Sequence, residues 1–414
     1  MNADDVATPV AAAIARAHRE EWARVIATTA RRFGDLDIAE DAAAEAFAAA
    51  VERWPVDGVP ARPGAWLTTT ASRKAVDRIR RDIRRGSKHE EAERLRDDSA
   101  PGVDGPVQDD RLRLVFACCH PALAMEARVA LTLRMVGGLT VPEIARAFLV
   151  QDSAMARRIT RAKTKIATAG IPYRVPSAAE LPDRVSGVLA VLFLVFNEGY
   201  LATGPDTDPV RQDLTAEAIR LTRLLRGLLP DNGEVAGLLA LMLLIEARRA
   251  ARVSAGGELV ALGDQDRTAW DGALIEEGHA LVRERLATGR PAGRYQLLAA
   301  INAVHTSAPR ADTTDWWQIV ALYDQLVRLD PSPVVVLNRA VAVAELDGPE
   351  VALAILDRLR DILAGYHAYH ATRADLLRRL GRDRDARTAY GTAIELAGNT
   401  AEVAYLARRR DQLG

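Results

Sequence analysis

Residues 139–166, LTVPEIARAFLVQDSAMARRITRAKTKI, decide how the chain is read. Thr140 and Glu143 stand three apart, with Pro142 in the first turn. That is the spacing of a capping box, in which hydroxyl and carboxylate each satisfy a backbone N–H orphaned at a helix start. A short helix is predicted from there, followed by a tight turn at 149–151. The next segment, from Asp152, carries Arg157, Arg158, Arg161, Lys163 and Lys165, with no acidic residue between Ala154 and Lys165. A short helix, a tight turn and a second helix loaded with cations describe a helix-turn-helix. The apolar, helix-patterned runs DDRLRLVFACC (109–119) and PALAMEARVALTLRMV (121–136) complete a compact helical segment over 110–170.

At 414 residues the chain exceeds one ordinary core, and roughly 150 residues per domain predicts about three. Hydrophobic residues make up 49% and aromatics only 5%, so Ala, Leu and Val supply most apolar surface and favour helix over strand. An all-α fold is therefore expected. No run approaches the ~20 uncharged apolar residues of a membrane span, and MNADDVATPV does not read as a signal peptide. Two cysteines suit a reducing compartment, so a cytoplasmic protein without membrane contact is expected.

The N-terminal part reads as three helices: about 6–31, about 37–53 with Ile38, Ala42, Phe47 and Val51 inward, and about 65–84. A Pro/Gly turn, WPVDGVPARPG (54–64), separates the last two. Net charge is −1, yet the charges segregate. Six acidic residues and no basic one lie between Asp35 and Glu52, whereas eight basic residues lie between Arg62 and Arg85 against two acidic ones. Such local patches attract phosphate backbones where net charge does not. Residues 86–109 are polar, with Gly and Pro, and read as a linker.

Beyond about 171 a second helical array is expected, to 414. ELDGPEVALAILDRL (345–359) matches RLGRDRDARTAYGTAIEL (379–396) at an offset of 34, pairing Leu346 with Leu380 and Ala352 with Ala386. WWQIVALYDQLVRLDPSP (316–333) supplies the second-helix features of the same repeat. A 34-residue helix–turn–helix period is that of tetratricopeptide repeats, whose stacks present concave surfaces to protein or peptide ligands.

Catalytic motifs are absent from the sequence: there is no Walker A loop, G-x-S-x-G or H-E-x-x-H. VFACCHPAL (115–123) places Cys118, Cys119 and His120 together, but adjacent cysteine side chains diverge and zinc sites space them by two or more. They read as buried packing residues before a turn. His367 and His370 sit three apart on a predicted helix and read as a helix–helix contact. No metal, cofactor or enzymatic activity is expected.

GDLDIAEDAAAEAFAAAVERWP, PGAWLTTTASRKAVDRIRR and residues 139–166, in that order, resemble the extracytoplasmic-function sigma factors of the sigma-70 family. FACCHPAL, NEGYLAT (197–203) and the repeat-bearing tail resemble the subgroup with a long C-terminal extension. The resemblance implies sigma domain 2 over 1–85, domain 4 over 110–170 and the extension over 171–414. It implies that Asp35, Asp37, Glu40, Asp41 and Glu45 dock on core RNA polymerase, where charge complementarity would speed docking and fix its register. Trp66, Arg73, Lys74, Arg78, Arg80 and Arg81 would engage the melted minus-ten strand, by stacking and phosphate contact. Where many relatives carry Asn seven residues after this Trp, the chain has Arg73, so the family's base preference does not carry over. Ser153, Arg157, Arg158, Arg161, Lys163 and Lys165 would read the minus-thirty-five promoter DNA. Ala154, Met155 and Ala156 offer few hydrogen bonds there, so methyl contacts or DNA shape are expected to carry more of the specificity.

The resemblance thus implies a factor directing promoter-specific initiation, with the extension as its regulator. The competing reading is a helix-turn-helix regulator with a C-terminal sensor or scaffold that never joins polymerase. Such a regulator has no use for an acidic helix followed by a basic, aromatic-led one.

Overall fold

The computed structural model describes residues 3–84, 110–148, 150–171, 173–200, 212–254, 259–398 and 400–413. The linker expected at 86–109 lies outside the described residues. Most of those described are helical, and their only β-pairing is an isolated bridge between Val253 and Leu259. Contacts divide the chain into two compact units, Met1–Leu194 and Val195–Gly414. Residues 171–194, assigned to the extension from sequence, fall in the first unit; there Arg184 donates to the Phe116 carbonyl at 2.5 Å and lies over the Phe116 ring.

The first unit opens with three mutually packed helices, α1 (Ala3–Phe33), α2 (Leu36–Asp57) and α3 (Pro63–Arg84). Asp35 caps α2, its carboxylate accepting from the N–H groups of Asp37 (2.7 Å) and Ile38 (3.0 Å). The inward stripe of α2 is Ala39, Ala43, Ala46, Ala50 and Trp54, and that of α3 is Leu67, Ala71, Ala75 and Ile79. Alanines at helical spacing let the two axes approach closely, and large residues close the ends of the seam.

Two expectations change here. Helix α2 runs through Pro55 to Asp57 and ends at Gly58, whose φ of 83° favours glycine, with its N–H on the Trp54 carbonyl at 3.0 Å. Trp54, read from sequence as the start of a turn, is therefore the last core residue of α2 and is 1% exposed. Its place on the stripe turns Val51 outward, 56% exposed, where the sequence reading had it inward.

Four more helices build the helix-turn-helix part of this unit: α4 (Asp110–Cys118), α5 (Met125–Thr132), α6 (Val141–Ala147) and α7 (Asp152–Thr168). The capping box is present: Glu143 Oε2 accepts from Thr140 N at 2.7 Å, and Thr140 Oγ1 accepts from Glu143 N at 3.4 Å. Helix α5 continues into one π-turn, Leu133–Gly137, and stops at Gly138 with φ 77°. Helix α7 buries Met155, Ile159, Ala162 and Ile166 and turns its cations away from that core. Met155 is fully buried, so it makes no methyl contact to DNA, contrary to the sequence reading. Helix α8 (Leu181–Tyr200) follows, and buries Val185, Val188 and Leu192.

Within the second unit, α9 (Gln212–Leu228) and α10 (Gly233–Glu246) come first. Helix α10 is apolar all round and buried along nearly its whole length, as a central helix must be. A Cβ on its Gly237 would stand 2.6 Å from the backbone nitrogen of Gln296, so only glycine permits this crossing. The short α11 (Arg249–Arg252) leads to α12 (Gly272–Ala287), α13 (Arg294–Ser307) and α14 (Trp316–Leu329). A groove of about 420 Å³ runs between the last three, walled by Val282, Leu286, Val304 and Leu322.

Helices α15 (Pro333–Leu346) and α17 (His367–Arg379) begin 34 residues apart, as do their partners α16 (Pro349–Asp357) and α18 (Asp383–Leu396). The repeat register read from sequence is thus the structural one. Ala352 and Ala386, paired by that register, are both fully buried in one hydrophobic core, and α19 (Thr400–Asp411) packs on α18. Ala352→Leu is expected to cost about 1–3 kcal/mol through overpacking. A melting temperature unchanged by it would refute the close packing around Ala352. No helix among the described residues is long and apolar enough to cross a membrane.

Candidate nucleic-acid interface and acidic docking face

The structure gives the carboxylates of α2 partners. Asp41 pairs with Arg78 of α3, and Glu45 lies 3.3 Å from Lys74 and 4.0 Å from Arg81. These pairs are half-exposed to solvent, so each contributes little, of the order of ~0–1 kcal/mol. Their effect is orientational: they turn Lys74, Arg78 and Arg81 toward α2. Arg73 and Arg80 instead share the exposed face of α3 with Thr69 and Asp77. Trp66 is half-buried, edge-on to Trp54 with ring centroids 5.6 Å apart. It is therefore a core anchor whose remaining face borders the cationic surface.

On α7, Ser153, Arg157, Arg161 and Lys165 are exposed and Arg158 is half-exposed. Lys163 has a different setting. Its Nζ donates to Asp37 Oδ1 at 2.5 Å and to Glu40 Oε2 at 2.6 Å, and its side chain is 9% exposed. Burial pulls the ammonium down, but the hydrogen bonds and charges of Asp37 and Glu40 outweigh it and raise Lys163 above the ordinary lysine value. In this conformation Lys163 faces α2 and not the solvent side offered to DNA.

Arg134, in the π-turn after α5, was not anticipated from the sequence. Its Nε donates to Glu40 Oε1, its Nη1 donates to the Leu139 carbonyl at 2.8 Å, and its guanidinium lies over Trp22. Trp22 Nε1 in turn donates to the Arg134 carbonyl at 3.1 Å. Both oxygens of Glu40 are thus occupied by cations from the helix-turn-helix. The only local signal was Gly137-Gly138, which marks a helix end and so places Arg134 in a last turn.

Cys118 and Cys119 are buried and unbridged, as the packing reading requires. Cys119 Sγ lies 3.3 Å from Thr132 Oγ1, and burial pushes both thiols up, Cys119 to about 11. His120 sits in the turn after α4, its Nδ1 accepting from Ala122 N at 3.2 Å. His367 contacts Glu402 of α19 at 3.3 Å, the helix–helix contact expected, whereas His370 contacts the Ala364 carbonyl in the loop before its own helix at 2.8 Å and so makes a local contact instead. Among the described residues no cluster of three His, Cys, Asp or Glu has metal-site geometry.

An acidic helix laid against a cationic one, plus a helix-turn-helix in the same compact unit, defines a two-part nucleic-acid-binding head. Sigma-70 region 2 matches residues 19–85, sigma-70 region 4 matches 113–166, and a family of unknown function (DUF6596) matches 184–286. A probable ECF RNA polymerase sigma factor, SigI of Mycobacterium tuberculosis, is 30% identical over 203 residues, covering 46% of this chain and 68% of the relative. An uncharacterized protein of Rhizobium meliloti is 46% identical over 391 residues, 92% of each chain. The chain belongs to the extracytoplasmic-function family of sigma-70 RNA polymerase sigma factors.

Proposed function

We propose that this sigma factor uses α2 (Asp35, Asp37, Glu40, Asp41, Glu45) to dock on a basic surface of core RNA polymerase. The Trp66–Arg81 stretch of α3 then engages the melted minus-ten strand, while α7 reads the minus-thirty-five duplex. It acts in the cytoplasm and performs no chemical step of its own. One observation carries this reading. Arg73 and Arg80 stand on an exposed face of α3 beside the half-buried Trp66, while Lys74, Arg78 and Arg81 pair with carboxylates of α2. A duplex-only regulator would need neither element. In vitro transcription tests it: the full chain added to core polymerase is expected to start transcripts at defined promoters. Binding to duplex DNA without any such initiation would favour the regulator reading.

The helical extension is proposed as a regulator that offers its surface to a protein or peptide. Support comes from the 34-residue helix pairs and from the apolar groove between α12, α13 and α14, where Leu286 is 71% exposed. A chain ending at Tyr200 is expected to keep duplex binding by α7 while its promoter output changes. Equal output from the short and full chains would refute the regulatory role.

A further inference from the structure

We infer that domain 4 closes on domain 2 by occupying Asp37 and Glu40, carboxylates of the same face that takes a basic partner, so that closure and polymerase docking exclude one another. The inference rests on reading α2 as the docking face, and it adds the competitor for that face and the residues that hold it.

The acidic face divides into two halves. Asp41 and Glu45 pair within domain 2, and their side chains stay 51% and 40% exposed, open to an incoming cation. Asp37 and Glu40 are held from domain 4. Lys163 spans both, Arg134 takes the second oxygen of Glu40, and the Glu40 side chain is only 11% exposed. A basic partner cannot seat along the full helix until both cations leave.

The pairs lie inside a built interface. Trp22 bonds the Arg134 carbonyl, and Tyr173 Oη donates to the Ala27 carbonyl at 3.2 Å. Arg31 lies 3.2 Å from Asp110, and a Cβ on Gly138 would stand 2.8 Å from His18 and 3.0 Å from Trp22. Water is largely excluded around Glu40, where a single removed partner leaves a charge uncompensated.

Promoter geometry requires the same opening. Positions minus ten and minus thirty-five are roughly 25 base pairs apart, about 85 Å of duplex at ~3.4 Å per pair. Domains joined by direct Lys163–Asp37 contact cannot hold both elements at once. Lys163 is therefore the closing residue in the free protein, and on opening it leaves α2 and becomes available to DNA with the other cations of α7.

Zero-length carbodiimide cross-linking of the full chain tests this, because it joins only an amine and a carboxylate in contact. Peptides joining Lys163 to Asp37 or Glu40 are expected in the free protein, with a yield that falls as core polymerase is added. The cross-linked species is expected to lose polymerase binding. A yield unaffected by saturating polymerase, or undiminished binding by the cross-linked species, would overturn the inference. In parallel, the Lys163→Met, Arg134→Met double variant is expected to bind core polymerase on the order of tenfold more tightly; unchanged or weaker binding by a variant that melts normally counts against it. Asp41→Asn with Glu45→Gln separates the two layers. If that pair loses polymerase affinity while the cross-link ignores polymerase, docking stands and exclusion falls. If it loses none, the docking reading falls and the inference with it.

Discussion

Replacing Arg73 and Arg80 together by alanine is expected to lower transcription from the cognate promoter on the order of 100-fold while leaving the fold intact. An arginine that contacts nucleic acid is worth about 1–3 kcal/mol, and a tenfold effect corresponds to about 1.4 kcal/mol. Both side chains stand on the exposed face of α3, and the α2 carboxylates pair with Lys74, Arg78 and Arg81 instead. Removing exposed groups of this kind changes stability by roughly 0.5 kcal/mol or less. Lys74→Ala with Arg78→Ala provides the contrast, since it breaks the pairs to Glu45 and Asp41 and so acts on domain 2 as well as on DNA. Template-strand opening, followed by a fluorescent base at the minus-ten element, together with thermal melting separates the two effects. Full activity of the Arg73, Arg80 variant would remove α3 from promoter contact.

His305 is expected to contribute to acid lability of the extension. His305 of α13 lies edge-on to Trp316, with centroids 5.3 Å apart. Burial first, then the charges of Arg248 and Arg267, hold its imidazole down at about 4. Arg248 is itself buried, donating to Asn302 Oδ1 at 3.0 Å, and Arg267 donates to the His305 and Ala308 carbonyls at the end of α13. The folded value lies below that of the unfolded chain, ordinarily about 6.5. The neutral ring's contribution is therefore fully present above pH ~6.5 and is lost as pH falls toward about 4, at up to roughly 1.4 kcal/mol per pH unit. Urea unfolding between pH 7 and 4 should show this slope in the native chain and a flatter one in His305→Gln. Parallel slopes would assign the acid sensitivity to other groups.

What the sequence disclosed was local. The Thr140–Glu143 box, the cation-loaded helix after it and the 34-residue offset are patterns of near neighbours, and each is present in the structure. Burial of Cys118 and Cys119 followed in the same way from their helical surroundings. Phase errors arose where one residue was misassigned: reading Trp54 as a turn residue rotated the inferred face of α2 and brought Val51 inward. Pairings across long separations were beyond reach. Lys163 and Asp37 are 126 positions apart, and nothing in the cation pattern of α7 distinguishes Lys163 from Lys165. The charged residues were thus recognisable as clusters, while their partners depended on how helices from two domains meet.

The pairing of α2 with cations from α3, α7 and the π-turn has a consequence for how the protein is felt at a distance. A carboxylate and an ammonium in contact act as a dipole, whose field falls off faster than that of either charge. At physiological salt even a lone exposed charge is screened beyond about 8 Å. In the closed protein Lys163, Arg134, Asp37 and Glu40 therefore add little to the field that the exposed cations of α3 and α7 send out. Separating Lys163 and Arg134 from Asp37 and Glu40 would enlarge the negative patch of α2 and the positive patch of the helix-turn-helix in one event. The ionic-strength dependence of the association rate, weaker for the closed protein and steeper for one held open, would then report how far encounter waits on that separation.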